Sequence, residues 1–205
     1  SDVYKRQYDL CHARGTMTLE EIYISFDKFV VLYRINIDAK DVVIFTKLQT
    51  VHLKEPMKTI SCGPAAIFSA SDTKAYICTQ EFTIKHTSTF SKGADVPFVS
   101  SSMTSDLHCL LSESHVVVAD SNNEDIFRSD RLNGHPSGLT FDLHDNVLVC
   151  TMDNKLKQVR HGGKESRDIE LVGIGDTYNV VLHPTGEKML VMDYKYSEEK
   201  CCVYQ

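Results

Sequence analysis

The sequence predicts an all-β chain arranged as a β-propeller, an incomplete six-bladed one with about five blades represented. Three observations carry that expectation. Short apolar runs recur between turn residues with the period of strands, and helical periodicity is absent throughout. Four pairs of strand positions, Ile22 and Val31, Ile67 and Tyr76, Leu139 and Leu148, Val181 and Leu190, each lie nine residues apart. The second-strand positions Val31, Tyr76, Val117, Leu148 and Leu190 are separated by 45, 41, 31 and 42 residues, close to the period of about 40 for a four-stranded blade. A sandwich would also give short strands, but not this recurrence.

The elements follow in order. Residues 1–7, Ser-Asp-Val-Tyr-Lys-Arg-Gln, resemble the translation of a transposon-end adapter used in sequencing libraries and are set aside from fold reasoning. The propeller is assigned to 8–205, cut at its N-terminal side. Tyr8 to Thr18 shows no clear element. Ile22–Phe26 and Phe29–Tyr33 then form two strands around a turn at Asp27 and Lys28, followed by Val42–Phe45 and Leu48–Leu53. A second unit opens at Gly63 to Phe68 and continues through Ala75–Cys78 and Phe82–Lys85. The third has Leu107–Leu111 and Val116 to Asn123, and comes out short. The fourth, His135 to Val159, is the clearest. Its run Val147 to Cys150, bounded by Asp145 and Asn146 before and Asp153 and Asn154 after, reads as a strand covered on both faces. The fifth, Tyr178–Leu182, Met189–Met192 and Cys201–Tyr204, supplies about three strands. A closed ring normally completes its last blade with a strand from the start of the domain; with that side cut, five blade-like sheets in an arc or a poorly closed ring, with uncovered blade faces, are expected.

The 205 residues are 24% charged and 42% apolar, ordinary values for a globular domain. No apolar run approaches the length of a membrane-spanning helix. A net charge of −6 argues against nucleic acid as the main ligand, since phosphate contacts call for a basic surplus. Seven cysteines, with Cys78, Cys109 and Cys150 inside apolar runs, point to buried free thiols and a reducing, cytoplasmic setting rather than a disulfide framework.

Val116 to Phe127, with its Val-Ala-Asp-Ser-Asn-Asn core, resembles the NHL repeat, and Pro136 to Asp142 followed by Asn146 to Cys150 resembles the opening of the same repeat. The segments Gln158 to Lys164 and Asn179 to Val191 are similar to the last blades of tripartite-motif-type proteins of invertebrates. WD-repeat propellers carry a Trp-Asp pair in each blade, and this chain has no Trp at all. The NHL resemblance implies a recognition module that binds protein partners or RNA, with ubiquitin transfer belonging to an upstream RING domain. The chain itself has no Cys-x-x-Cys spacing of the RING kind. A protein partner is expected, RNA being the second choice on charge; no cofactor is expected.

Two residue sets are candidates for function. Lys155, Lys157, Arg160, His161, Lys164 and Arg167 form a basic run that could dock an anionic partner, or could be a solvated outer strand and turn broken by Glu165 and Asp168. The second follows from a resemblance of the Gly-Leu-Thr-Phe-Asp wording to calcium-dependent lactone hydrolases, also six-bladed propellers. It implies oxygens converging on a central channel, with Asn179, Asp176 and Asp153 as the residues; Thr151 stands where such a site would carry an acid. No nucleophile elbow, phosphate loop or zinc-protease motif is present.

Overall fold

The structure is a computed structural model that describes residues 7–12, 21–26, 28–54, 56–57, 59–64, 66–71, 73–89, 99–112, 114–134, 136–151, 153, 155–174, 177–183, 185–195 and 198–204, with the side chains of 7–12, 112, 193–195 and 198–201 left aside. Residues 1–6, Ala13 to Thr18, Asp27, His135, Asn154 and Asp176, on which sequence expectations fell, lie outside the described residues. Every described element is a strand, and the strands form five antiparallel sheets in a propeller arrangement. The first blade is β1 (Gln7–His12), β2 (Glu21–Phe26), β3 (Phe29–Ile37) and β4 (Val43–His52). The second is β5 (Thr59–Cys62), β6 (Ile67–Ala70), β7 (Lys74–Cys78) and β8 (Ile84–Thr89). The third is β9 (Val99–Ser101), β10 (His108–Ser112), β11 (His115–Ala119) and β12 (Asp125–Arg128). The fourth is β13 (Pro136–Phe141), β14 (Val147–Thr151), β15 (Lys155–Val159) and β16 (Ser166–Glu170). The fifth has three strands, β17 (Thr177–Leu182), β18 (Met189–Lys195) and β19 (Glu198–Tyr204). Strand order follows sequence order in each sheet, as tight turns between neighbours require.

Several boundaries differ from the sequence reading. Tyr8 to His12 belongs to β1, paired with β2 from Gln7↔Phe26 to His12↔Ile22; a ladder to a strong neighbour can hold a segment with no apolar alternation of its own. The two runs Val42–Phe45 and Leu48–Leu53 are one strand, β4, carrying an irregularity opposite Leu32 and Tyr33. The strands β5, β9, β12 and β16 were not placed as strands of their blades from the sequence; β9 spans three residues, and β12 and β16 are largely exposed. This also corrects the phase of the repeat. Ile22/Val31 and Ile67/Tyr76 fall on second and third strands, whereas Leu139/Leu148 and Val181/Leu190 fall on first and second strands. The third strands begin at Phe29, Lys74, His115, Lys155 and Glu198, separations of 45, 41, 40 and 43 residues. The short third unit was a slip of one strand, not a shortened blade.

One turn type recurs. At Asp38, Asp120 and Asp142 a carboxylate oxygen accepts from the backbone N–H two and four residues on, at 2.8 and 2.9, 2.9 and 2.9, and 2.8 and 3.0 Å respectively. The residue three positions on, Asp41, Asn123 or Asp145, takes positive φ. Thr79 with Phe82 repeats it through a hydroxyl. This is a three-residue hairpin loop ending in a left-handed residue, and a short polar side chain at its head replaces lost ladder bonds.

The chain divides into two units, Ser1–Pro97 with the first two blades and Phe98–Gln205 with the other three. In the first unit Tyr23, Val30, Leu32, Met57, Ile60, Ile67 and Tyr76 pack into one core. In the second, β14 is buried on both faces, as read from its sequence. Val147 and Val149 join Val116, Val118, Leu139 and Val159 on one side, while Leu148 and Cys150 join Leu156, Val180 and Val191 on the other. Period-two alternation splits the strand between two cores, each shared with a neighbouring blade. Burial pushes the thiols of Cys78 and Cys150 up to about 12 and that of Cys109 well above its usual value. Cys78, Cys109 and Cys150 are buried free thiols, as the apolar runs predict, whereas Cys62 at the end of β5 is disulfide-bonded, against the expectation that no disulfide forms; sequence spacing carries no information on cysteines joined through the fold.

Candidate functional site

The predicted basic run covers the β15–β16 hairpin, and strand alternation divides it. Residues opposite one another share a face, so Lys155, Lys157 and Val159 lie with Glu170, Asp168 and Ser166, while Gln158 lies with Arg167 on the other side. Val159 packs toward the third blade and Leu156 toward the fifth, which places the two halves of the run in different surroundings. Most of its charge is already matched. Lys157 Nζ is 2.5 Å from Asp168 Oδ1, and Lys155 Nζ is 3.3 Å from Asp168 Oδ2. The Lys157 ammonium, hydrogen-bonded to it, is the chief reason the Asp168 carboxyl is held below the usual carboxylate range. Arg160 pairs with Glu165 at 2.8 Å within the turn. Arg167 donates Nε to Gln158 Oε1 at 2.7 Å, and Gln158 donates to Asp142 at 2.6 Å. The His161 ring stands edge-on to Phe127, with centroids 5.8 Å apart.

Lys157 and Lys164 meet a third cation that sequence reading did not single out. A cleft of about 60 Å3 is lined by Ser129, Asp130, Arg131, Leu132 and Asn133 of the connector after β12 and by Lys157, Val159, Gly163, Lys164 and Ser166 of the hairpin. Arg131 and Lys164 are exposed, and neither makes an ion pair among the described residues. The connector is pinned on both sides of Arg131. Ser129 N–H donates to Val116 O at 2.9 Å, Ser129 Oγ accepts Val116 N–H at 2.9 Å, and Leu132 N–H donates to Ser114 O at 2.7 Å. Leu132 is buried in the core between the third and fourth blades. Lys164 is set by Gly163, whose φ is 75°; a Cβ there would sit 2.7 Å from Phe127 Cδ2 and 2.8 Å from the Arg128 carbonyl oxygen, so only glycine lets the turn close on β12. Arg131 is isolated in sequence between Leu132 and Asp130 and gave no motif; its partner loop lies 33 residues on at Lys164.

Of the oxygen set of the lactone-hydrolase alternative, Asn179 and Asp153 are described. Asn179 Oδ1 accepts the Val180 N–H at 2.8 Å and presses on Gly138, where a Cβ would lie 2.6 Å from it. Asp153 is exposed in the turn after β14, and Asp176 lies outside the described residues. Among the described residues no group of three or more His, Cys, Asp or Glu side chains is disposed to hold a metal ion, and no helix is long and apolar enough to cross a membrane.

The fold these blades build is that of the β-propeller, shared with solved structures across most of the chain. The structure of U3-55K superposes with a TM-score of 0.70 at 11% identity, covering 94% of this chain and 60% of that one. The Neurospora crassa Pan2 WD40 domain superposes with a TM-score of 0.63 at 12% identity, covering 90% and 59%. The chain thus spans about 60% of the length of those structures. At such identity the likeness is one of fold, and a chain without Trp builds the same architecture as a WD40 domain. No family model and no curated protein matches the sequence.

Proposed function

We propose that this chain is a non-catalytic interaction propeller that recognises a protein partner, as part of a larger protein of the tripartite-motif kind whose ligase chemistry resides elsewhere. The observation that carries the reading is the cleft at Arg131 and Lys164: two unmatched cations held by a pinned connector and a glycine-closed turn, beside a floor of neutralised charge. Such rim charges set partner choice and approach rate. The groups with strongly shifted proton affinity point away from catalysis. Cys78, Cys109 and Cys150 are buried thiols with raised pKa, the opposite of an activated nucleophile. His108 is buried and neutral. The NHL-like segment Val116 to Phe127 forms β11, the turn at Asp120 and β12, so the resemblance falls on the strands that lead into the cleft. The RNA alternative has less support: Lys155, Lys157 and Arg160 are matched by Asp168 and Glu165, and a phosphate backbone track uses a run of free cations.

The test is photo-crosslinking from position 131 and from position 164 in cell extract, with and without ribonuclease. The expected products are protein adducts that survive ribonuclease and vanish on adding 0.5 M salt, on the order of a shift that suppresses rim electrostatics. Nucleotide adducts at both positions would replace this reading with RNA binding.

A further inference from the structure

We infer that the Arg131–Lys164 cleft is a carboxylate seat, taking the side chain of an Asp or Glu from an acidic peptide segment of the partner. This rests on the reading of the chain as an interaction module and deepens it. Size comes first. A cleft of about 60 Å3 has room for several waters at about 10–15 Å3 each, enough to take a carboxylate group. Charge comes next. Of the basic residues around the hairpin, Lys155, Lys157 and Arg160 already have carboxylate partners, and Arg167 is engaged by Gln158 on the far face. That leaves Arg131 and Lys164 on the cleft itself, a planar five-donor fork and a compact ammonium, a pair suited to one small anion. Lys157, only 11% exposed at its side chain, sits behind them bound to Asp168.

The lining also says what does not fit. It contains no aromatic side chain on which a base could stack, the usual source of affinity for single-stranded nucleic acid. Asp130 on the same rim opposes a doubly charged phosphomonoester more than a singly charged carboxylate. The seat is pre-formed: the pinned Ser129 and Leu132 and the closed turn at Gly163 hold the two cation-bearing loops before any ligand arrives, which lowers the ordering cost of binding.

The experiment measures fluorescence anisotropy of three labelled probes with the full chain at about 0.15 M salt: a ten-residue peptide alternating Glu and Gly, the same peptide with Gln for Glu, and a ten-nucleotide oligouridylate. The Glu peptide is expected to bind at least about tenfold more tightly than the other two, a difference of about 1.4 kcal/mol. Arg131→Glu and Lys164→Glu should each remove most of that preference, Arg131→Lys should keep part of it, and Arg167→Glu should change it less than about twofold. Circular dichroism melts confirm that each variant is folded. Equal binding of the Glu and Gln peptides, tighter binding of oligouridylate, or equal losses from Arg167→Glu and Arg131→Glu would each overturn the seat. Should no peptide bind while ribonuclease-resistant protein adducts still form at 131 and 164, the carboxylate seat falls and the interaction reading stands. Should the adducts be absent too, both fall.

Discussion

Single backbone positions decide whether the cleft exists. Gly163 packs at 2.8 Å from the Arg128 carbonyl oxygen with φ at 75°, so Gly163→Ala meets both a left-handed strain and a steric one. The two together cost about 2 kcal/mol, read as a lower denaturant midpoint at unchanged slope, and they displace Lys164 from Arg131. Gly162, one residue earlier, also has positive φ but has nothing within 4 Å of a Cβ; Gly162→Ala should therefore cost less than half as much. A reversed order would show that strain rather than packing governs the turn. The recurrent head-of-turn acids follow the same logic. The backbone N–H groups of Glu124 and Asn122 hold the Asp120 carboxyl below the usual carboxylate range, the residue serving as an acceptor rather than as chemistry.

At the scale of elements, β10 carries a titration. His108 is 4% exposed, and burial brings its pKa down from 6.5 to about 4, with Asp120 pulling weakly the other way. The folded ring is neutral, and the unfolded chain takes up the proton first. Stability from this group is complete above about pH 6.5 and declines as pH falls toward 4, by about 3 kcal/mol in all. Urea melts between pH 7 and 4 should show the decline in the native chain and a flatter profile in His108→Asn; identical slopes would show that other groups dominate. The β3–β4 hairpin presents a different property. Ile35 to Ile37 pairs with Val43 to Phe45 beyond the last β2 partner, Arg34, and Ile37, Val43, Ile44 and Phe45 are all exposed. An apolar edge without cover is prone to pair with other chains. Val43→Lys with Phe45→Lys should reduce light scattering on concentration while shifting the melting temperature by no more than about 2 °C; unchanged scattering would place the sticky surface elsewhere.

For the molecule as a whole, stability is a sum of neighbouring interfaces. Leu156 is fully buried in the core shared by the fourth and fifth blades, and Leu156→Ala should cost about 3 kcal/mol. In a repeat architecture that loss stays near its source. Amide exchange should quicken in β14, β17 and β18 and remain unchanged in β2, β3 and β6, which belong to the core of the first unit. Uniform acceleration across all blades would mean that the chain opens as one cooperative block.

What the sequence determined by itself was the class of structure. The nine-residue strand spacing, the recurrence near 40 residues and the unbroken run Val147 to Cys150 are local consequences of blades that bury both faces, and they hold whatever the neighbours are. It also marked the basic hairpin, because charge composition is visible without a fold. Tertiary structure decided the rest. The phase of the repeat depended on β5, β9, β12 and β16, strands defined by hydrogen bonding to a neighbour rather than by their own apolar pattern. The disulfide at Cys62 left no mark in the spacing of the cysteines. The site rests on a meeting of distant positions. Alternation along β15 and β16 sent Arg167 to one face and Lys157 to the other, Asp168 and Glu165 removed most of the charge, and Arg131 entered from the preceding blade. Adjacency along a strand alternates between faces, so a run of like residues in sequence is not a patch in space until the register and the neighbouring blade are known.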